Sequence, residues 1–371
     1  MQNVRIPTRI VASCVVCHHE VVMPYLIWTI TIVALFPASF AAYAKDIKDF
    51  DPLFASQETL EVEVEGPFAM LSRERPDEEE ADGKFRFTAD DGTTVELDVL
   101  IRTRGNWRRN PDICKFPPLR FNFKKSQTND TLFDKQDKLK LVTHCQNNNG
   151  RYDQAVISEY LAYRAFNVLT DYSYRVRLLK MKYVFTDRKT ELETYGILIE
   201  HDDRIGKRIN GEPVAVELVS VSSIRPADLN LASVFQYFVG NTDFSPKATA
   251  PDEECCHNQA LFTSEDGPYY TIPYDFDQTG IVNAKHAAPN ARFGISSVKV
   301  RKYRGRCENI DQLGVTFQKF RDHRDDFEAL VNDQLELTST TRRNILKYVE
   351  DFYETIDDPK RAEKRIVTKC I

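Results

Sequence analysis

Residues 84–101 read KFRFTADDGTTVELDVLI. Lys84-Phe85-Arg86-Phe87-Thr88 alternates charged and apolar side chains, and Thr94 to Ile101 repeats the pattern in Val95, Leu97 and Val99. Strict alternation is the mark of a strand with one buried face. Asp91-Gly92 is a turn signal between the two runs. This stretch therefore sets an antiparallel sheet as the frame for the first half of the chain.

Working outward, Leu60-Glu61-Val62-Glu63-Val64 alternates in the same way, and the acidic run from Pro76 to Asp82 reads as a solvated loop. Leu119–Phe123 and Lys138–Val142 are two further strands. Then the period changes. Asp153 is a candidate N-cap, and Val156, Tyr160, Ala162, Tyr163, Phe166 and Leu169 fall at helical spacing. Strands resume at Val176–Phe185 and Thr194–Glu200, and from Ala227 the pattern is mostly helical. Phe317, Phe320, Phe327 and Leu330 mark one helix. Ile345, Leu346, Val349, Phe352 and Ile356 mark another, capped by Thr338 or Ser339. The expected class is α+β with two lobes. An antiparallel-sheet lobe with one helix spans 45–205 and a mainly helical lobe spans 206–371, with a cleft at the polar seam His201–Glu212.

Ahead of both lobes, Pro24 to Ala42 is the one long apolar run, preceded by Arg5 and Arg9 and followed by the small-residue signature Ala42-Tyr43-Ala44. Residues 1–44 are expected to be an export signal; an uncleaved anchor is the competing reading, but Pro37 and Ser39 leave the apolar core short for a span. Charges interrupt every later apolar run, so no stable membrane span is expected after cleavage. The net charge of −6 argues against general binding of nucleic acid polymers or anionic membranes.

Beyond residue 44 the cysteines are Cys114, Cys145, Cys255, Cys256, Cys307 and Cys370. An even number in an exported, periplasmic or extracellular protein favours disulfides, with the connectivity open. Cys255 and Cys256 are adjacent and are expected to bond elsewhere. A metal site beside His257 is the alternative, but zinc-type spacing is missing.

Chemistry concentrates in Phe238–Gly280. Asn241-Thr242-Asp243, His257-Asn258 and Tyr274-Asp275-Phe276-Asp277 are each flanked by an apolar stretch, read as strands delivering polar ends: Val234–Val239, Ala260–Phe262 and Tyr269–Ile272. Carboxylate and amide oxygens suit Mg²⁺, which takes few protein ligands, while a separate Asp can accept a hydroxyl proton. Each motif is also an ordinary turn; their ordered coincidence is what points to a metal–phosphate site. Arg102-Thr103-Arg104-Gly105-Asn106-Trp107-Arg108-Arg109 can grip phosphates or pair with surface acids. Lys115 precedes a strand and is a candidate phosphate lysine. Glu159, on the helix after Asp153, can pair with it or simply face solvent. A metal-dependent hydrolase would need a second cluster of His or Asp ligands, which the sequence does not offer.

Arg104-Gly105-Asn106, the basic strand after it and the helix from Tyr152 resemble the spore-coat CotH kinase family. So do Tyr195-Gly196-Ile197-Leu198-Ile199-Glu200, Asn241-Thr242-Asp243, His257-Asn258 and Pro273-Tyr274-Asp275-Phe276-Asp277. The likeness spans about residues 60–285, and the chain also looks like an exported, cysteine-containing branch, with Cys255-Cys256 before His257-Asn258 and Tyr303-Arg304-Gly305 and Cys307 downstream. It implies a two-lobed atypical protein-kinase-like fold that uses ATP and Mg²⁺ to phosphorylate a protein Ser or Thr, or transfers AMP instead. By this resemblance Asp243 is the catalytic Asp, Asn258 and Asp275 are metal ligands, and Asp277 is a second acid near the metal. Lys115, Arg104 and Glu159 serve the nucleotide, and Glu200 ends the strand into the interlobe hinge. A disulfide from Cys255 or Cys256 would then fix the loop that brings Asn258 to the metal. A non-catalytic binding protein retaining that fold is the rival expectation.

Overall fold

The computed structural model describes residues 51–247, 255–265 and 267–371. The expected export signal, 1–44, lies outside them. Three short helices, α1 (Pro52–Ala55), α2 (Phe68–Glu74) and α3 (Lys125–Thr128), are interspersed with five strands. These are β1 (Leu60–Gly66), β2 (Ala81–Thr88), β3 (Thr94–Thr103), β4 (Leu119–Phe123) and β5 (Lys138–Val142). The long helix α4 (Gly150–Leu169) leads to β6 (Val176–Phe185) and β7 (Glu191–Ile199). After α5 (Asp202–Ile209) and α6 (Pro226–Val239) comes the hairpin β8 (Gln259–Phe262) and β9 (Tyr270–Pro273). Four helices follow: α7 (Leu313–Asp322), α8 (Arg324–Asp333), α9 (Ser339–Asp357) and α10 (Pro359–Arg365).

The hairpin read from residues 84–101 forms as β2–β3, with Phe85 opposite Leu97 and Phe87 opposite Val95. The expected two-lobed kinase-like fold with an open antiparallel sheet does not. The strands close into a seven-stranded barrel, β1-β2-β3-β4-β5-β7-β6, mixed because β1 runs parallel to β6 with Val62 opposite Met181. The described residues form one compact unit. Alternation tells which face of a strand is buried, not which distant strand takes its free edge. Here β1 uses both edges, so among the described residues the barrel has no open edge.

The barrel interior is aromatic. Phe85 packs edge-on to Phe121 and Phe133 with ring centroids 5.6 and 5.0 Å apart, and Leu139, Leu141, Met181 and Tyr183 complete the fill. A side chain at Gly196 of β7 would meet the Met181 sulfur at 2.6 Å and the Val142 carbonyl at 3.2 Å, so any larger residue would force this wall to shift. The outer face of β5, β6 and β7 is apolar too. Val142, Val176, Leu178, Ile197 and Ile199 join a second core with α4, α6 and the C-terminal helices. Helix α4 lies between these layers, which explains why nearly all of its sides are buried.

Local signals shift by a few residues. Helix α4 starts at Gly150, capped by Asn149, whose side chain accepts from the Arg151 N–H at 3.2 Å. Asp153 sits in its first turn and accepts from Thr194 Oγ1 at 2.5 Å instead. Val234–Val239, read as a strand, is the last part of α6; a six-residue apolar run does not distinguish a buried helix from a strand. Thr338 is the cap of α9.

Three disulfides form: Cys114–Cys145, Cys255–Cys256 and Cys307–Cys370. Cys255 and Cys256 thus bond each other, correcting the expectation of separate partners. The other four described cysteines are consumed pairwise at a distance, and this pair is enclosed by Val219, Ile224, Leu229 and Leu261. Among the described residues, no helix is long and apolar enough to cross a membrane.

Candidate functional site

The hairpin β8–β9 is the organiser. Its register sets Gln259 opposite Pro273, which places Asn258 and Tyr274 side by side just beyond its open end. The Tyr274 N–H donates to the Asn258 carbonyl at 3.1 Å. One residue on, the Asp275 N–H donates to Tyr163 Oη of α4 at 2.9 Å. From the other side, α6 stops at Gly240, whose φ of 71° turns the chain back in the left-handed region. The released strand-like segment bridges at Ser245 to His257, and that bridge delivers Asp243 to the same place.

Asn258 donates its amide to the Asp243 carbonyl at 2.6 Å and to its carboxylate at 3.3 Å. The other carboxylate oxygen is 3.0 Å from His257 Nε2. These contacts, not a disulfide from Cys255 or Cys256, hold Asn258 to the Asp243 loop. The Asp243 side chain remains 41% exposed, enough for an incoming group to reach it. Asn258 and Asp275 have φ of 53° and 59°. Left-handed backbone at two non-glycine positions is a local cost that clusters at functional sites.

These residues face the barrel across an open cavity of about 610 Å³. Arg104 and Lys140 line its barrel side; Asp243, Asn258, Asp275 and Asp277 line the opposite side. The volume is that of an ordinary small-molecule site. Burial holds the Arg104 guanidinium below its ordinary range, with Asp275 opposing that shift. Asp275 is pushed up to about 6 by burial and by the charge of Asp277, against the pull of Arg108 and Arg104. No described side chain hydrogen-bonds the Asp275 carboxylate. Burial also opposes ionisation of Asp277, but His286 Nε2 at 3.0 Å and Arg108 Nη1 at 3.5 Å outweigh it and hold its carboxyl below the usual range.

Two nucleotide-side expectations are corrected. Lys115 does not reach the cavity: its exposed ammonium donates to the Pro111 carbonyl at 2.9 Å. Glu159 is buried against Arg108 at 3.7 Å, not against a lysine. Burial pushes its carboxyl well above the usual range, with Arg108 opposing. Glu200 lies outside the cavity, in a buried ion pair with Arg208 at 2.9 Å while accepting the Arg175 N–H at 3.0 Å.

Lys140 is the lysine that sequence reasoning missed. Leu139 and Leu141 point into the barrel, so alternation turns Lys140 and Val142 outward, and both line the cavity. Its ammonium lies 3.5 Å from Asp202 and 5.7 Å from the Tyr274 ring centroid, and burial pulls its pKa down. Arg108 and His286 were also missed; the first stood in the basic run without being singled out.

Among the described residues, the Cys114, Cys145 and His286 ligand atoms form the single trio of His, Cys, Asp or Glu within 4.8 Å of one another. Those sulfurs are spent in a disulfide, so this is no metal site. The cavity acids do not crowd into a three-carboxylate cluster either. An unpaired carboxylate and an amide oxygen, with Asp277 beside them held by His286 and Arg108, are oxygen donors of the kind Mg²⁺ takes and not a zinc-type set. Compared with known protein families and with curated proteins, the chain matches none.

Proposed function

We propose that the cavity binds a nucleoside triphosphate with Mg²⁺ and transfers a phosphoryl group to a hydroxyl, with a protein Ser or Thr as acceptor. The observation that carries this is the division of one 610 Å³ cavity into a cationic wall, Arg104 and Lys140, and an acid–amide wall holding Asp243, Asn258 and Asp275. Phosphoryl transfer needs those parts: cations for the phosphate oxygens, oxygen ligands for Mg²⁺, and a separate carboxylate for the acceptor. The motif resemblance to the spore-coat kinases supports the reading, although the barrel is not the fold that resemblance implies.

Asp275 and Asn258 would hold Mg²⁺, whose charge offsets that of the phosphates. Lys140 and Arg104 bind and orient the phosphate chain. Asp243 accepts the proton of the acceptor hydroxyl as its oxygen bonds to phosphorus and the bond to the bridging oxygen breaks. His257 and Asn258 fix the two carboxylate oxygens of Asp243 beforehand. The disulfides fit an oxidising compartment outside the cytoplasm.

Asp243→Asn tests the reading. The variant should bind MgATP within about twofold of wild type and lose on the order of 10²–10⁴-fold in phosphate transfer. If wild type binds MgATP but never transfers phosphate or AMP, the site belongs to a non-catalytic nucleotide-binding protein.

A further inference from the structure

Behind the Asp243 loop stands a side chain that the proposed chemistry does not use. Arg304 Nη1 donates to the carbonyls of Thr242 at 2.9 Å and Phe244 at 2.6 Å, the residues on either side of Asp243. Its guanidinium lies between two rings, 4.6 Å from the Phe244 centroid and 4.5 Å from that of Phe293. Phe293 ends the short helical turn Ala291–Phe293, directly after Ala288, Pro289 and Asn290, which line the cavity. One planar cation therefore touches both the loop presenting Asp243 and the segment that follows the cavity-lining residues 288–290.

The segment carrying Arg304 is itself anchored. Cys307 is bonded to Cys370, and the Ile371 N–H donates to the Gly305 carbonyl at 2.9 Å. Arginine suits this place because it can donate along its edge while stacking on both faces, which a lysine ammonium cannot do. Burial and neighbouring Arg292 lower the guanidinium to about 10, with Asp243 opposing them. The Nε has no partner in the structure. A half-buried cation kept at that cost, for two carbonyls that a loop could have given to water, points to a geometric role.

We infer that Arg304 is a positioning residue that sets Asp243 against the acceptor and ties it to the cavity-lining segment before Phe293. It does not itself line the cavity. The inference rests on the phosphoryl-transfer reading for its kinetic consequence, but not for its structural one.

The experiment compares wild type with Arg304→Met, which keeps the stem and stacking bulk, and Arg304→Lys, which keeps the charge. Phosphate transfer from MgATP, equilibrium MgATP affinity and amide hydrogen exchange over residues 241–245 are measured on the full chain. The expected result is a fall in kcat of tenfold or more in both variants, with MgATP affinity within about twofold of wild type. Faster exchange should be confined to 241–245 and the neighbourhood of Phe293. Equal loss of kcat and MgATP affinity, exchange that rises throughout the helical core, or full activity in Arg304→Met would overturn the assignment. If wild type neither binds nor transfers, the phosphoryl-transfer reading fails, and the exchange data alone decide whether Arg304 holds the loop.

Discussion

Arg108 places its guanidinium 3.5 Å from the carboxylate of Asp277, and it is nine-tenths buried there. The same Nη1 lies 3.7 Å from Glu159. Removing a buried cation strands the acid charge it balances, which costs more than removing a neighbour that burial already keeps neutral. The charge of Arg108 is favoured against burial by Asp277 first and Glu159 second.

Arg108→Met should therefore destabilise the protein by about 3–5 kcal/mol, read from denaturant unfolding. Glu159→Gln should cost about 1 kcal/mol or less, because burial already favours its neutral acid and the amide keeps the shape. Equal costs for the two variants would show that Glu159 is the charged partner.

Lys140→Met should weaken MgATP binding by about tenfold or more, on the order of 1.4 kcal/mol, in a direct titration. Lys115→Met, outside the cavity, should leave the affinity unchanged within about twofold. The reverse pattern would return the phosphate-binding role to Lys115.

Asp275 couples function to pH. Its carboxyl is raised to about 6 in the folded, metal-free protein, against about 3.9 in an unfolded chain. The folded state then holds this proton more tightly. The stability it contributes is fully present below about pH 4 and is lost as pH rises through about 6. Asp275→Asn cannot ionise, so its Tm relative to wild type should climb between pH 4.5 and 7.5, and its Mg²⁺-dependent nucleotide binding should be weaker than that of wild type. A Tm difference that is flat with pH would contradict the shift.

Much of this architecture could be read from side-chain alternation. The strand runs Leu60–Val64, Phe85–Thr88 and Leu119–Phe123 form where their period places them, because each has one face in the barrel. Barrel closure could not be read. It depends on the pairing of Val62 with Met181, more than a hundred residues away, and both pairing partners show the same alternation whether the edge is open or covered. The cavity acids were legible because Asn241-Thr242-Asp243, His257-Asn258 and Asp275-Phe276-Asp277 are short motifs held by local turns. Lys140 was not, since its outward direction matters only once the C-terminal half covers the outside of β5. The Cys255–Cys256 bond was missed because adjacency was read as a bar to pairing.

The central claim is that Asp275, Asn258, Lys140 and Arg104 together bind a metal–nucleotide complex. Calorimetric titration of the protein with ATP, with and without Mg²⁺, tests it most directly. Binding should require Mg²⁺, survive in Asp243→Asn, and weaken by about tenfold or more in both Asp275→Asn and Lys140→Met. Absence of binding by wild type, or binding indifferent to Mg²⁺ and to both substitutions, would contradict it.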